Sequence, residues 1–304
     1  MSSTLSVIHF RAMGCEVEIQ LEAPDSPRIL QGMPAAVEAL EQSLSRFRPT
    51  SDLMRLNDHA GQWTPVGAVL FAAITEARRM ALLTDGLVTP LVHNAMLAAG
   101  YTVSFDRLHN AQRHTSGSVV DWRELRLRRD SQEVFIPTGA SLDLGGTGKG
   151  WAAAHLADQL EAYGPCCVNL GGDVALRGAP SGLAGWPVSV EHPGYSSDIT
   201  LRDISVATSG IDFRRWQTQD GQWQHHIIDP RTANPAQTDV AAVTVTHRNL
   251  VTAEACAKAV LILGSAAGIK WLHSIWDAAA IVTLQDGTVL CSQNWLNIPQ
   301  ETLS

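Results

Sequence analysis

The chain has 304 residues, with 22 Lys+Arg against 30 Asp+Glu and a formal net charge of −8. That balance excludes the basic surface with which nucleic-acid-binding domains neutralise phosphates. A hydrophobic content of 45% with 17% charged residues excludes a disordered chain and fits one large folded body or two smaller ones. Met1–Phe10 has neither a basic start nor a long apolar stretch, so no secretory signal is expected. No run approaches 18 apolar residues, so no transmembrane helix is expected either. Together these features predict a soluble cytoplasmic protein. Five cysteines (Cys15, Cys166, Cys167, Cys256 and Cys291) form no CxxC pair and are expected to be free, buried thiols.

In chain order, alternating apolar residues over Glu16–Leu21 predict a half-buried strand. Val37, Leu40 and Leu44 form one stripe of a helix over Pro34–Phe47, with the proline in its first turn. Thr64-Pro65 is expected to open a second helix, lined by Leu70, Ile74, Ala77 and Ala81 and ended by Asp85-Gly86. Ser141–Leu144 is expected as a short strand running into Gly145–Gly150, followed by a helix carrying Leu156 and Leu160. Cys166–Leu170 is predicted as a buried strand closed by Gly171-Gly172-Asp173. Further strands are expected at Val188–Val190, Ile204–Ala207, His225–Asp229 and Val240–Thr246. Helices are expected at Ala253–Leu263 and Ala266–Trp276, and a hairpin at Gln285-Asp286-Gly287. Strands outnumber helices at hairpin spacing, which predicts an α+β fold rather than regular βαβ winding.

Gly145–Gly150 fits neither the phosphate loop of nucleotide hydrolases nor the dinucleotide G-x-G-x-x-G. Its small residues, the helix start behind it and the charge of Lys149 suit an anion, although a tight turn with a solvated lysine would read the same way. Asp173, in the second glycine turn, caps that turn or contacts a ligand.

Read together, these segments resemble the ApbE family, the FAD:protein FMN transferases. The resemblance is carried by Met13-Gly14-Cys15, by Ser45–Asn57 (SRFRPTSDLMRLN), by Asp85–Pro90 (DGLVTP) and by Leu142–Gly150 (LDLGGTGKG). Val168–Asp173 (VNLGGD), Thr208-Ser209-Gly210 and His225–Thr232 (HHIIDPRT) follow in the family's order. Matching segments run from about residue 11 to 264, so the expected unit is the whole chain, 1–304, as a single ApbE-like domain, undivided or made of two closely packed subdomains. The resemblance implies an α+β fold of antiparallel sheets flanked by helices. It implies an Mg²⁺-assisted reaction that splits FAD, places FMN on a Thr or Ser of a flavin-acceptor protein and releases AMP. Residues expected to border the flavin nucleotide are Met13, Phe47, Leu87, Val88, Thr89, Asp143, Lys149, Asp173 and Ile228. Near the phosphoryl chemistry the resemblance places Lys149 and one of His225 and His226 as base. Neighbouring strand residues face opposite ways, so only one histidine serves, and His226 is favoured.

The chain departs from the family pattern at Thr89 and Ala154, where the pattern has Asp, and most consequentially at its metal position. There the resemblance implies a helical Asp and Thr holding Mg²⁺ with a backbone carbonyl near Gly146. This chain has Glu254 and Lys258, which lie i,i+4 on one helix face. Three outcomes are open: Lys258 replaces the metal, Lys258 swings aside and a metal binds, or the two residues form a solvated ion pair away from any site. The first outcome carries a second functional expectation, an FAD-binding protein or carrier that has lost Mg²⁺-dependent transfer. No self-acceptor motif is evident; Asp286-Gly287-Thr288-Val289 comes nearest. The expected partners are therefore FAD and a separate acceptor protein, without nucleic acid or membrane, in an oligomeric state the sequence does not specify.

Overall fold

The computed structural model describes residues 3–108, 117–219, 221–298 and 300–301; Met1 and Ser2 of the N-terminal stretch lie outside them. The chain forms two compact units. The first comprises Met1–Glu38, Lys149–Gly210 and Thr238–Ser304, and the second Ala39–Gly148 and Ile211–Gln237.

The first unit is organised by an eight-stranded sheet. Its spatial order is Thr4–Ala12, Cys15–Ala23, Cys166–Leu170, Asp173–Arg177, Ser205–Gly210, Val240–His247, Ala279–Leu284, Val289–Cys291. Every neighbouring pair is antiparallel. The register runs Ile19↔Val168↔Ala175 and Leu170↔Asp173↔Ala207↔Val245↔Ala280. Directly paired residues share a face, so these side chains all lie on one side of the sheet. The helices Gly148–Glu161 and Leu250–Leu263 cover that side, the first where Cys166 Sγ lies 3.5 Å from the Ala157 carbonyl. On the other face Cys167, Val174, Leu176, Val206, Ala279 and Ile281 pack against Trp186, Val190, Ile199, Leu201 and Trp295. Four of those five lie on or beside a small sheet of Trp186–His192, Tyr195–Leu201 and Gln300–Glu301. The register thus puts Asp173, a lone carboxylate among apolar neighbours, on the face turned to the two helices.

The helix Leu250–Leu263 (LVTAEACAKAVLIL) is apolar on nearly every side, and all but two of its residues are buried. A helix of that kind belongs in an interior, where its two charged residues must find partners. Asn249 caps it, its side chain accepting the Thr252 N–H.

The second unit holds the helices Asp52–Asn57, Ala68–Leu83 and His93–Ala98, a sheet of Trp63–Pro65, Glu133–Phe135 and Arg126–Arg128, and two short strand pairs. One of its apolar clusters joins Ala95, Met96, Ala99, Tyr101, Trp216 and Ile228.

Several sequence expectations need correction. Thr64-Pro65 does not start a helix; it lies in the strand Trp63–Pro65, and the helix opens at Ala68 behind Gly67. Ser141–Leu144 is not a strand, because the Asn57 side chain holds both the N–H and the C=O of Leu142 and takes the place of a partner strand. His225–Asp229 is two strands, Trp223–His225 and Ile228–Asp229, broken at His226. The last helix ends at Leu272 rather than Trp276. All five cysteines are free, but only Cys166, Cys167 and Cys256 are buried; Cys15 is half-buried and Cys291 exposed.

Candidate functional site

In the first unit the glycine turns meet. Met13 and Gly14, with φ of 52° and 67°, form the two-residue turn between the paired residues Ala12 and Cys15. Positive φ at both positions is what a tight hairpin of this hand requires. Gly171, at φ 63°, lies against Cys15, where an added Cβ would stand 2.7 Å from the cysteine's own. Two residues on is Asp173, fully buried, which accepts a charged hydrogen bond from the Lys149 ammonium. Lys149 is therefore no mobile, solvated charge, and Asp173 is no turn cap.

Glu254 completes the group. Its side chain is 0% exposed. Oε1 accepts from Lys258 Nζ at 2.9 Å, and Oε2 accepts from the Gly150 N–H at 3.0 Å, in the first turn of the Gly148–Glu161 helix. A Cβ on residue 150 would stand 2.6 Å from that oxygen, so glycine is what lets the carboxylate reach the amide. The solvated ion pair allowed by the sequence is thus excluded. Lys149, Asp173, Glu254 and Lys258, two residues of each sign, share one cluster whose formal charges balance.

Their protonation follows from that arrangement. Burial raises the Asp173 pKa, and the Glu254 charge raises it further, against the pull of Lys149 and Lys258. For Glu254 burial also works upward, but Lys258, Lys149 and the Gly150 N–H outweigh it and hold the pKa below the ordinary carboxylate value.

The second unit contains a different arrangement. Asp143 accepts the Gly145 N–H at 2.6 Å, so its carboxylate shapes the turn leading to Gly148. Gly146 stands in that turn, and Glu254 and Lys258 belong to the other unit. Arg46, almost entirely buried, places Nε 2.8 Å from Asp143 and donates from Nη1 to the Tyr101 carbonyl at 2.9 Å. Its guanidinium lies 4.0 Å from the Phe47 ring centre and 4.5 Å from that of Tyr101, which in turn packs on Trp216. Sequence reasoning passed over Arg46; the available signal was an arginine inside the SRFRP segment, flanked by the aromatic residue that was singled out. Leu87 is half-buried, while Val88 and Thr89 are buried in a loop where the Thr89 hydroxyl accepts the Leu91 N–H at 3.2 Å. Ile228 sits in the apolar cluster with Tyr101 and Trp216.

The two histidines part company. His225 donates from Nε2 to the Ala236 carbonyl at 2.9 Å, because its Nδ1 accepts the Ile227 N–H at 3.3 Å. Burial holds its pKa below the usual imidazole value. Both ring nitrogens of His225 are committed to the backbone. His226 is half-buried in the bend that follows, off any strand.

The ApbE family model matches residues 13–282. This chain belongs to the ApbE family. Among ApbE relatives, an FAD:protein FMN transferase of Vibrio cholerae is 28% identical, over 81% of this chain and 76% of its own length. One from Treponema pallidum is 27% identical, over 91% and 83%. The crystal structure of the ApbE protein from Thermotoga maritima superposes with a TM-score of 0.85 at 25% identity, covering 98% of this chain and all of its own. A Pseudomonas stutzeri flavinyl transferase ApbE superposes at 0.83 with 18% identity, over 98% of each chain, which bears on the fold alone. The α+β expectation holds: antiparallel sheets flanked by helices are the ApbE architecture.

Mg²⁺ needs about six oxygen ligands in a rigid shell. At the expected position stand one carboxylate, with both oxygens already accepting, and an ammonium that offers no lone pair. Among the described residues no three His, Cys, Asp or Glu side chains gather as a metal site. The residues present do not fit the ion.

Proposed function

We propose that this chain is an FAD:protein FMN transferase. The acceptor's Thr or Ser oxygen attacks the FMN phosphorus, and the bond to the bridging oxygen breaks. AMP leaves with the electron pair, and the hydroxyl proton passes to a base. Phosphoryl transfer of this kind asks the protein mainly for positive charge and alignment. The observation that carries the reading is the pair of largely covered lysines, Lys149 in the first turn of the helix behind the glycine turn and Lys258 bonded to the Glu254 that also holds that helix's Gly150 N–H, in a chain of this family.

In this reading Lys149 and Lys258 face the diphosphate, and the helix N-terminus adds positive potential. His226 takes the proton, because His225 spends both nitrogens on the backbone. Met13, Phe47, Leu87, Val88, Thr89, Asp143, Asp173 and Ile228 are the proposed nucleotide-bordering positions. The shared activity of the relatives favours transfer over an inert flavin carrier. Among the described residues no helix is long and apolar enough to cross a membrane, and a cytoplasmic location is part of the proposal. The test is mass spectrometry of an acceptor peptide incubated with enzyme and FAD. A gain of one FMN with matching AMP supports the reading; a peptide of unchanged mass beside intact FAD overturns it.

A further inference from the structure

The buried cluster of the first unit is complete in charge without any ion. Asp173 is answered by Lys149, and Glu254 by Lys258 and the Gly150 N–H. A neutral side chain at 258 would leave the cluster one negative charge in excess, the condition that draws in a divalent cation. With lysine there, an incoming ion would meet a fixed positive charge and two occupied carboxylate oxygens. Lys258 is held for the purpose: its side chain is 13% exposed, and it is i,i+4 from a carboxylate that is itself fixed at its other oxygen.

We propose that Lys258 is a built-in counter-cation that takes the place of a divalent metal, so that this protein binds the diphosphate of its substrate without one. The identity of the anion rests on the transferase reading; the exclusion of metal rests on the cluster alone. Lys258 and Lys149 then supply one ammonium group for each of the two phosphates. The contact costs the protein no ion, and it does not depend on the free Mg²⁺ concentration.

The test has two arms, both on the whole chain without FAD. In the first, Mn²⁺ alone is titrated into the protein and free ion is read by electron paramagnetic resonance. Wild type is expected to leave millimolar Mn²⁺ free, while the double variant Glu254→Asp/Lys258→Thr binds one ion per chain at least about 100-fold more tightly. In the second, inorganic pyrophosphate is titrated by calorimetry into wild type, with a chelator or with Mg²⁺. The same affinity in both buffers is expected. One Mn²⁺ bound per wild-type chain, or pyrophosphate bound only with Mg²⁺, overturns the inference, and neither result requires a variant to fold. Pyrophosphate bound in neither buffer, beside free Mn²⁺, instead overturns the transferase reading and leaves the metal exclusion standing.

Discussion

Replacing Lys258 by methionine keeps an unbranched side chain, one atom shorter, and removes its charge. Glu254 then loses the partner at Oε1 and keeps only the Gly150 N–H and the more distant Lys149. Breaking a buried pair from one side costs about 3–5 kcal/mol. The remaining amide bond places this case near the lower end, at about 3 kcal/mol. For a body of 150–250 residues, each kcal/mol is about 2–4 °C in Tm, so Lys258→Met should melt about 6–12 °C below wild type at neutral pH. A solvated i,i+4 pair would be worth about 0.3–0.5 kcal/mol and about 1–2 °C.

The pH dependence separates the cases further. In wild type the lowered Glu254 pKa gives stability that is present above the ordinary carboxylate range and lost as pH falls through the folded value. In Lys258→Met, burial without the lysine raises that pKa. The deficit should therefore be largest at alkaline pH and shrink as acid protonates Glu254. Asp173, on which Lys258 also pulls, has its pKa raised further in the variant, and its protonation shrinks the deficit toward acid in the same direction. Glu254→Gln/Lys258→Met should recover most of the loss. Scanning calorimetry across pH reads all three proteins. A change below about 2 °C that does not vary with pH would refute the reasoning, because it would mean the pair is solvated.

Further outcomes follow from other contacts. Arg46→Met strands the buried Asp143 carboxylate and should cost about 3–5 kcal/mol in urea unfolding; a cost under about 1 kcal/mol would show that Asp143 does not depend on it. His226→Ala should lower the transfer rate about 10²–10⁴-fold with FAD affinity retained, as removal of a base does. An unchanged rate would remove His226 from the chemistry. His225→Ala should instead lower Tm by the loss of two backbone hydrogen bonds, each about 1 kcal/mol, while its purified folded form still transfers FMN. Gly171→Ala meets both a positive φ and the Cys15 side chain and should destabilise by about 1–3 kcal/mol in the same unfolding assay; a neutral result would mean that the two turns are not in contact.

Local patterns in the sequence were enough for the buried strands Cys166–Leu170 and Val240–His247 and for the turn at Asp286-Gly287, but not for the buried strand Asp173–Arg177. Val240–Thr246 is an almost unbroken β-branched and alanine run, and it sits inside the sheet with both faces covered. Asp286-Gly287 forms the hairpin it promised, joining Ala279–Leu284 to Val289–Cys291. The strand Thr4–Ala12 went unread because its apolar residues change side: Leu5 and Val7 are exposed, whereas Ile8 and Phe10 turn partly inward, so no single period runs through it. Ser141–Leu144 misled for the opposite reason, its apolar alternation being satisfied by a distant side chain instead of a strand. At the site, the i,i+4 relation of Glu254 and Lys258 was plain. Their burial was also written in the apolar residues around them, which leave that helix no solvated face. The bonds Arg46–Asp143 and Gly150–Glu254 join residues about a hundred apart along the chain, and no local pattern carries them.

One reaction tests metal-independent transfer most directly. Purified protein is incubated with FAD and a hydroxyl-bearing acceptor peptide in excess chelator, and AMP and peptide-bound FMN are quantified by chromatography and mass spectrometry. The account predicts equal amounts of both, at a rate that added Mg²⁺ does not raise. Intact FAD and unmodified peptide, with or without Mg²⁺, would contradict it.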